Sequence, residues 1–228
     1  MRRPGPSTRP GAVRVTVEEE QRRALPVVRA LVADGIAVSI DTMRSATAAA
    51  ALEAGAALVN DVSGGLADPD MVRVAAGSDR PFVAMHWRAH STEMAAHATY
   101  VDVVRDVVGE LSRRLDDLEV GGLPRERTVV DPGLGFAKDA DHNWSLLAHL
   151  DALHALGRPL LVGASRKGFL GRLLADPVGE PRPAAERDDA TVAVTALSAV
   201  AGAWCVRVHE VAANADAVRV VAALESAG

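Results

Sequence analysis

The chain has 228 residues, 49% hydrophobic and 24% charged, with a net charge of −5. That length and apolar content suit one globular domain, 1–228, and the acidic balance excludes nucleic acid as the main partner, because a phosphate backbone calls for a clustered basic surface. Aromatic residues make up only 3%, so the core has to be built from Ala, Val and Leu.

Arg2 and Arg3 are not followed by an apolar run, so the start does not read as a secretory signal. Thr16 and Glu19 form a capping-box pattern for a helix over 16–33, with Gly35 as its stop. Pro26 inside it should kink the helix or mark its true start. A short β-branched run at 37–40 reads as a strand. A helix over 45–54 ends at Gly55, and further strands are expected at 57–59 and 82–85. The longest helical pattern, 100–118, places Val103, Val104, Val107, Val108, Leu111 and Leu115 on one face. A strand at 128–130, a helix over 143–155 and a strand at 160–162 follow. Pro177, Pro181 and Pro183 make 176–187 a loop.

The uncharged stretch 190–206 is shorter than the ~20 apolar residues of a membrane span, and Thr191, Thr195, Ser198 and Gly202 interrupt it. It reads as a buried helix, 190–201, followed by a buried strand, 205–208. Cys205, the one cysteine, reads there as a small core residue and fits a reducing cytoplasm. A helix over 213–225 closes the pattern. Short continuous apolar strands alternating with helices indicate a parallel α/β fold. Periodicity alone leaves an open doubly wound sheet and a closed barrel both available.

The chemistry concentrates where strands end, the rim on which such folds bind ligands. The six strands end in Asp41-Thr42, Asn60-Asp61, His86-Trp87-Arg88, Asp131-Pro132-Gly133, Gly163-Ala164-Ser165-Arg166-Lys167 and, around Arg207, His209-Glu210. A single Asp after a strand is ordinarily a helix cap, and Asp131 before Pro-Gly is ordinarily turn chemistry. Six helix caps in a row do not require Asp, Asn, Lys, Arg and His. The acids and the amide suit a flat heterocycle rich in N–H groups, and the basic residues suit an anion.

These segments, in order, resemble the dihydropteroate synthase family. Ser7-Thr8-Arg9-Pro10-Gly11 resembles its second loop. Ser39-Ile40-Asp41-Thr42 and Asn60-Asp61-Val62-Ser63-Gly64-Gly65 resemble its third and fourth strand ends, and Asp131-Pro132-Gly133-Leu134-Gly135-Phe136 its sixth. Ser165-Arg166-Lys167 and Arg207-Val208-His209 resemble its seventh and eighth. Methyltetrahydrofolate methyltransferases share the barrel and the pterin-side acids, so the last two motifs point to the synthase.

The resemblance implies a TIM (β/α)8-type barrel of which this chain carries six β/α units, the third to the eighth. It implies joining of 6-hydroxymethyl-7,8-dihydropterin diphosphate to p-aminobenzoate, with 7,8-dihydropteroate and diphosphate as products. Asp41, Asn60, Met85, Asp131, Phe136, Gly163 and Lys167 match pterin-binding positions, with Asp41, Asp131 and Lys167 as catalytic residues. Arg207 and His209 match the diphosphate site, and the helix opening after Gly64-Gly65 is expected to add backbone N–H donors there. Thr8, Arg9 and Ser165 match positions around p-aminobenzoate. Mg²⁺ is implied as cofactor, through an Asn of a first loop that precedes these motifs in the family; no metal ligand is expected in this chain itself. A homodimer, a cytoplasmic location and standing as a sulfonamide target also follow from the resemblance. The front of the barrel is expected to be missing, through a late start site, completion by another polypeptide or descent into a non-catalytic pterin binder.

Overall fold

The computed structural model describes residues 15–88 and 97–227; Ser7, Thr8 and Arg9 lie outside them. The described residues fall into two compact units, one of 15–88 and 109–130, the other of 97–108 and 131–227.

The first unit opens with α1 (Val17–Ala33), capped by Thr16, whose hydroxyl accepts from Glu19 N at 3.3 Å. The reciprocal half of the capping box is absent. The Glu19 carboxylate instead turns forward to Arg22 and Arg23. Pro26 lies inside α1, so it does not mark the start; the helix begins at Val17 and runs through it. Strands β1 (Ser39–Asp41), β2 (Leu58–Asp61), β3 (Phe82–Met85) and β4 (Thr128–Asp131) form one sheet in that order. β3 and β4 are buried at every residue, as suits strands covered on both faces, whereas β1 is exposed at Ser39 and Asp41. β1 pairs in parallel with β2, Asp41 beside Asn60, and β2 pairs in parallel with β3, Asp61 beside Ala84. The rim residues of β1 and β2 therefore stand side by side.

Helices α2 (Ser45–Glu53), α3 (Met71–Ala76) and α4 (Val103–Val120) complete this part of the chain. The core is Ala48, Ala51, Ala56, Ala75, Val59, Met71, Phe82, Leu118 and Leu123, as the aromatic-poor composition demands. Val103, Val107, Leu111 and Leu115 are buried along the expected face of α4. That helix starts at Val103 rather than residue 100, because Asp102 caps it through Arg105 N.

In the second unit β5 (Leu161–Val162) and β6 (Cys205–Val206) pair in parallel, with helices α5 (Ala140–Ala148), α6 (Leu150–His154), α7 (Gly168–Leu173), α8 (Asp188–Val200) and α9 (Ala212–Ala227) around them. The single helix expected over 143–155 is two. His149 leaves helical geometry at φ −128, ψ 46, and its ring bonds back to Ser145 O at 2.8 Å. The expected buried helix over 190–201 is buried on one face only. Thr191, Val194, Thr195 and Ser198 are inside, while Leu197 is 70% and Val200 65% exposed. A hydrogen bond fixes that choice of face: Thr195 Oγ1 donates to Asn214 Oδ1 of α9 at 2.6 Å. No helix among the described residues is long and apolar enough to cross a membrane.

Candidate active site

The first unit carries Asp41, Asn60 and Met85 at consecutive strand ends. Asp41 is exposed, and the chain after it is pinned from α1. Thr42 Oγ1 donates to Glu20 Oε1 at 2.6 Å, Arg44 Nη1 donates to Glu20 Oε2 at 2.8 Å, and Glu20 is 1% exposed. Removing one partner of such a buried pair leaves an uncompensated charge, so Glu20 acts as a fixed post beneath the rim. Asn60 Oδ1 is buried and has no hydrogen-bond partner among the described residues. A buried carbonyl left so needs a donor, from water or from a ligand.

Next to it, Asp61 is fully buried and organises the following turn. Its Oδ1 accepts from Ser63 N (2.8 Å) and Ser63 Oγ (2.7 Å), and its Oδ2 from Gly65 N (2.9 Å). Burial pushes its pKa up to about 6 against those bonds, helped by Asp41. The expectation of free backbone donors after Gly64-Gly65 fails here. Gly64 N and Gly65 N are both spent on Asp61, Ala67 N is spent on Ser63 Oγ, and α3 does not begin until Met71.

Met85, 4% exposed, is followed by buried His86. His86 Nε2 lies 2.8 Å from Glu110 Oε2, which also accepts from Arg88 Nε at 3.0 Å. Burial acts to raise the Glu110 pKa, but the bonds from His86 and Arg88 prevail and bring it to about 2. One turn along α4, Arg114 Nε donates to Gly64 O at 2.5 Å. A single helix thus holds the chain after both β2 and β3. A cleft of about 390 Å³ opens here, lined by Met85, His86, Trp87, Glu110, Arg113 and Arg114 among others.

The second unit carries the acid and the basic residues. Asp131 is 7% exposed, and Gly133 N donates to its Oδ1 at 2.7 Å. Gly133 sits at φ +67, the left-handed region that favours glycine. The turn reading of Asp131 leaves room for the site reading, because only one oxygen serves the turn. Oδ2 faces Gly163: a Cβ added there would lie 3.8 Å from it and 4.0 Å from Arg207 Cβ, filling the space between them. Burial raises the Asp131 pKa, opposed by the Gly133 N–H and by the charges of Lys167, Lys138 and Arg207.

Lys167 Nζ stands 4.0 Å above the half-buried Phe136 ring, a cation–π contact. Gly135, at φ +72, makes room for the lysine stem; a Cβ there would come within 3.0 Å of Lys167 Cδ. Arg166 grips Asp188 of α8 with both arms, at 2.8 and 2.7 Å. Arg187 ties the same loop by donating to Arg166 O and Lys167 O. Ser165 is 4% exposed and hydrogen-bonds His209 through both the ring and the backbone N–H. Cys205 is half-buried, and burial raises its thiol pKa, so it stays a neutral packing group.

A family model described as pterin binding enzyme matches residues 4–209. The chain is 51% identical to the dihydropteroate synthase of Mycobacterium leprae over 98% of its own length and 79% of that protein. It is 41% identical to that of Synechocystis over 96% of its length and 75% of that protein. The chain belongs to the dihydropteroate synthases, within the pterin-binding enzymes. Solved members superpose closely. The Yersinia pestis synthase, studied with a sulfonamide drug, gives a TM-score of 0.91 at 35% identity, covering 97% of this chain and 78% of that one. The Xanthomonas albilineans synthase, studied with 7,8-dihydropteroate, gives 0.84 at 38%, covering 93% and 76%. The TIM-type family fold that the resemblance implied is thereby shown, and the six strands seen here are part of it.

Within the first unit the structure brings Asp41 and Asn60 together, with Met85 on the next strand. Within the second it gathers Asp131, Gly163, Lys167 and Arg207, with Ser165 on His209. Thr8 and Arg9 fall outside the described residues. The supporting residues Glu20, Glu110, Arg114, Arg187 and Asp188 were not singled out by sequence. Asp61 was, in the strand end Asn60-Asp61, but its role of holding the following turn was not.

Proposed function

We propose that this chain forms 7,8-dihydropteroate by displacing diphosphate from 6-hydroxymethyl-7,8-dihydropterin diphosphate with the amine of p-aminobenzoate. The observation that carries it is the buried Asp131 carboxylate, with one oxygen left facing the gap at Gly163 and cationic Lys167 and Arg207 acting on its charge. A carboxylate so placed accepts N–H bonds from a pyrimidinone edge, and the orphaned Asn60 Oδ1 asks for another such donor. Asp41, Met85 and Phe136 complete the proposed pterin contacts, with Lys167 bonding the ring carbonyl. Thr8, Arg9 and Ser165 border p-aminobenzoate, and Arg207 and His209 receive the diphosphate, Arg207 as a planar fork.

In the reaction the C–O bond to diphosphate breaks and its electron pair leaves with the phosphate. The pterin methylene becomes cationic, the aniline nitrogen bonds to it, and that nitrogen then loses a proton. Such a reaction asks for charge placement more than for a strong base. Burial raises the Asp131 pKa, and a cation beside it favours the charged carboxylate. Among the described residues no group of three His, Cys, Asp or Glu side chains is placed to hold a metal. Mg²⁺ enters this proposal on the diphosphate, as part of the substrate.

We further propose a cytoplasmic homodimer. The support for the dimer is that four large apolar side chains on the packed helices α8 and α9, Leu197, Val200, Val220 and Leu224, are 60–70% exposed. The activity test is p-aminobenzoate-dependent formation of dihydropteroate with Mg²⁺. Turnover that Lys167→Ala abolishes is expected. Pterin binding without any turnover would instead make the chain a binding protein, and corrinoid-dependent methyl transfer indifferent to Arg207→Ala would make it a methyltransferase.

A further inference from the structure

We infer that Ser165 is a positioning residue that holds His209 as the neutral imidazole with its proton on Nε2. This rests on the proposed place of His209 at the diphosphate subsite. Ser165 is 4% exposed, so its hydroxyl cannot turn to water. Its Oγ accepts the His209 backbone N–H at 3.1 Å and lies 2.9 Å from His209 Nδ1. A serine hydroxyl carries one hydrogen, and a buried one needs an acceptor. The backbone N–H is a donor and cannot take it. Nδ1 is the acceptor within reach, so it must present its lone pair, and the ring proton sits on Nε2.

The same bond opposes protonation of the ring. An imidazolium would carry hydrogen on Nδ1, and the buried Ser165 hydroxyl would then lose its acceptor. The surroundings pull both ways. Asp188 of α8 interacts electrostatically with His209 and favours the cation, but its carboxylate is already gripped by Arg166. The Glu210 carboxylate is turned onto the N–H groups of Ala212 and Ala213 at the start of α9. Arg207, two residues back on the same segment, disfavours a second positive charge. His209 therefore offers an anion a directed N–H without a charge, and Arg207 supplies the charge. Two neighbouring groups with divided duties hold diphosphate in place and still allow it to leave.

The test uses the full chain labelled with ¹⁵N at its seven histidines, with the His209 signals assigned by their loss in His209→Gln. The expected spectrum shows Nδ1 as the bare nitrogen and Nε2 as the protonated one. In Ser165→Ala the two forms should mix and the ring pKa should rise. At alkaline pH, where the ring is neutral in both proteins, inorganic diphosphate should inhibit Ser165→Ala about three- to tenfold more weakly, the worth of one net hydrogen bond. Ser165→Thr, which keeps the hydroxyl, should retain the original pattern. A proton on Nδ1 of the unaltered protein, or a His209 spectrum unchanged in Ser165→Ala, would overturn the inference. A changed spectrum with unchanged diphosphate inhibition would support the Ser165 inference and remove His209 from the diphosphate subsite.

Discussion

Asp61→Asn separates the cost of a buried charge from the loss of a hydrogen bond. The folded protein holds this carboxyl at about 6 against an ordinary 3.8. Its pKa is raised on folding, so the folded state binds the extra proton between those values. The resulting stability is fully present below about 3.8 and is lost as pH rises through about 6. From these values, going from about pH 7 to about pH 5 should stabilise the native protein by about 1 kcal/mol through this group alone. Asparagine cannot titrate and gains nothing. At neutral pH the substitution has two opposed effects of similar size. It relieves a buried charge worth about 3 kcal/mol, and it sets an amide NH₂ against Gly65 N–H at about 1–3 kcal/mol. The neutral-pH difference alone is therefore uninformative, and the change with pH isolates the carboxyl. Urea unfolding of both proteins at the two pH values measures it. Parallel behaviour, or a native protein that loses ground to the variant on acidification, would refute the account of Asp61 as a carboxylate ionised against its surroundings.

Glu110 predicts the opposite slope. Its pKa is lowered to about 2, so the stability it lends is present above its ordinary 4.5 and fades as pH falls through about 2; denaturation curves of the native protein and Glu110→Gln should converge in acid. Gly171→Ala would place its Cβ 2.5 Å from the Arg187 guanidinium and pull it off Arg166 O and Lys167 O. Steady-state kinetics should show a roughly tenfold fall in kcat/KM in Gly171→Ala, a similar fall in Arg187→Ala, and little more in the double variant, since both remove one and the same tie. Leu197→Asp, on the exposed strip of α8, should convert a dimer to a monomer by light scattering while leaving the helical circular dichroism intact.

The strands were legible because each centres on a short apolar run, fully buried in β3 and β4, that a polar residue closes or soon follows. The candidate residues were legible for the same reason: Asp41, Asn60 and Asp131 sit at the ends of β1, β2 and β4, and Lys167 lies in the loop after β5. What escaped depends on partners distant in sequence. Glu20 reads as an ordinary first-turn acid until Thr42 and Arg44 close on it from 22 and 24 residues away. Ser165 reads as a ligand contact until His209 meets it 44 residues on. Helices α3 and α7 are six residues each, too short for a repeating apolar face to emerge. The polar inner face of α8 escaped because hydropathy cannot register a threonine whose hydroxyl is satisfied by Asn214.

The Asp131 carboxylate serves the Pro132-Gly133 turn with one oxygen and faces the gap at Gly163 with the other. A proton or a ligand taken up on the second oxygen alters the electron density on the first, and so the grip on Gly133 N–H. That amide is thereby a built-in reporter. Its rate of exchange with deuterated solvent should register the occupancy and protonation of the carboxylate two residues away, with no label attached to the protein.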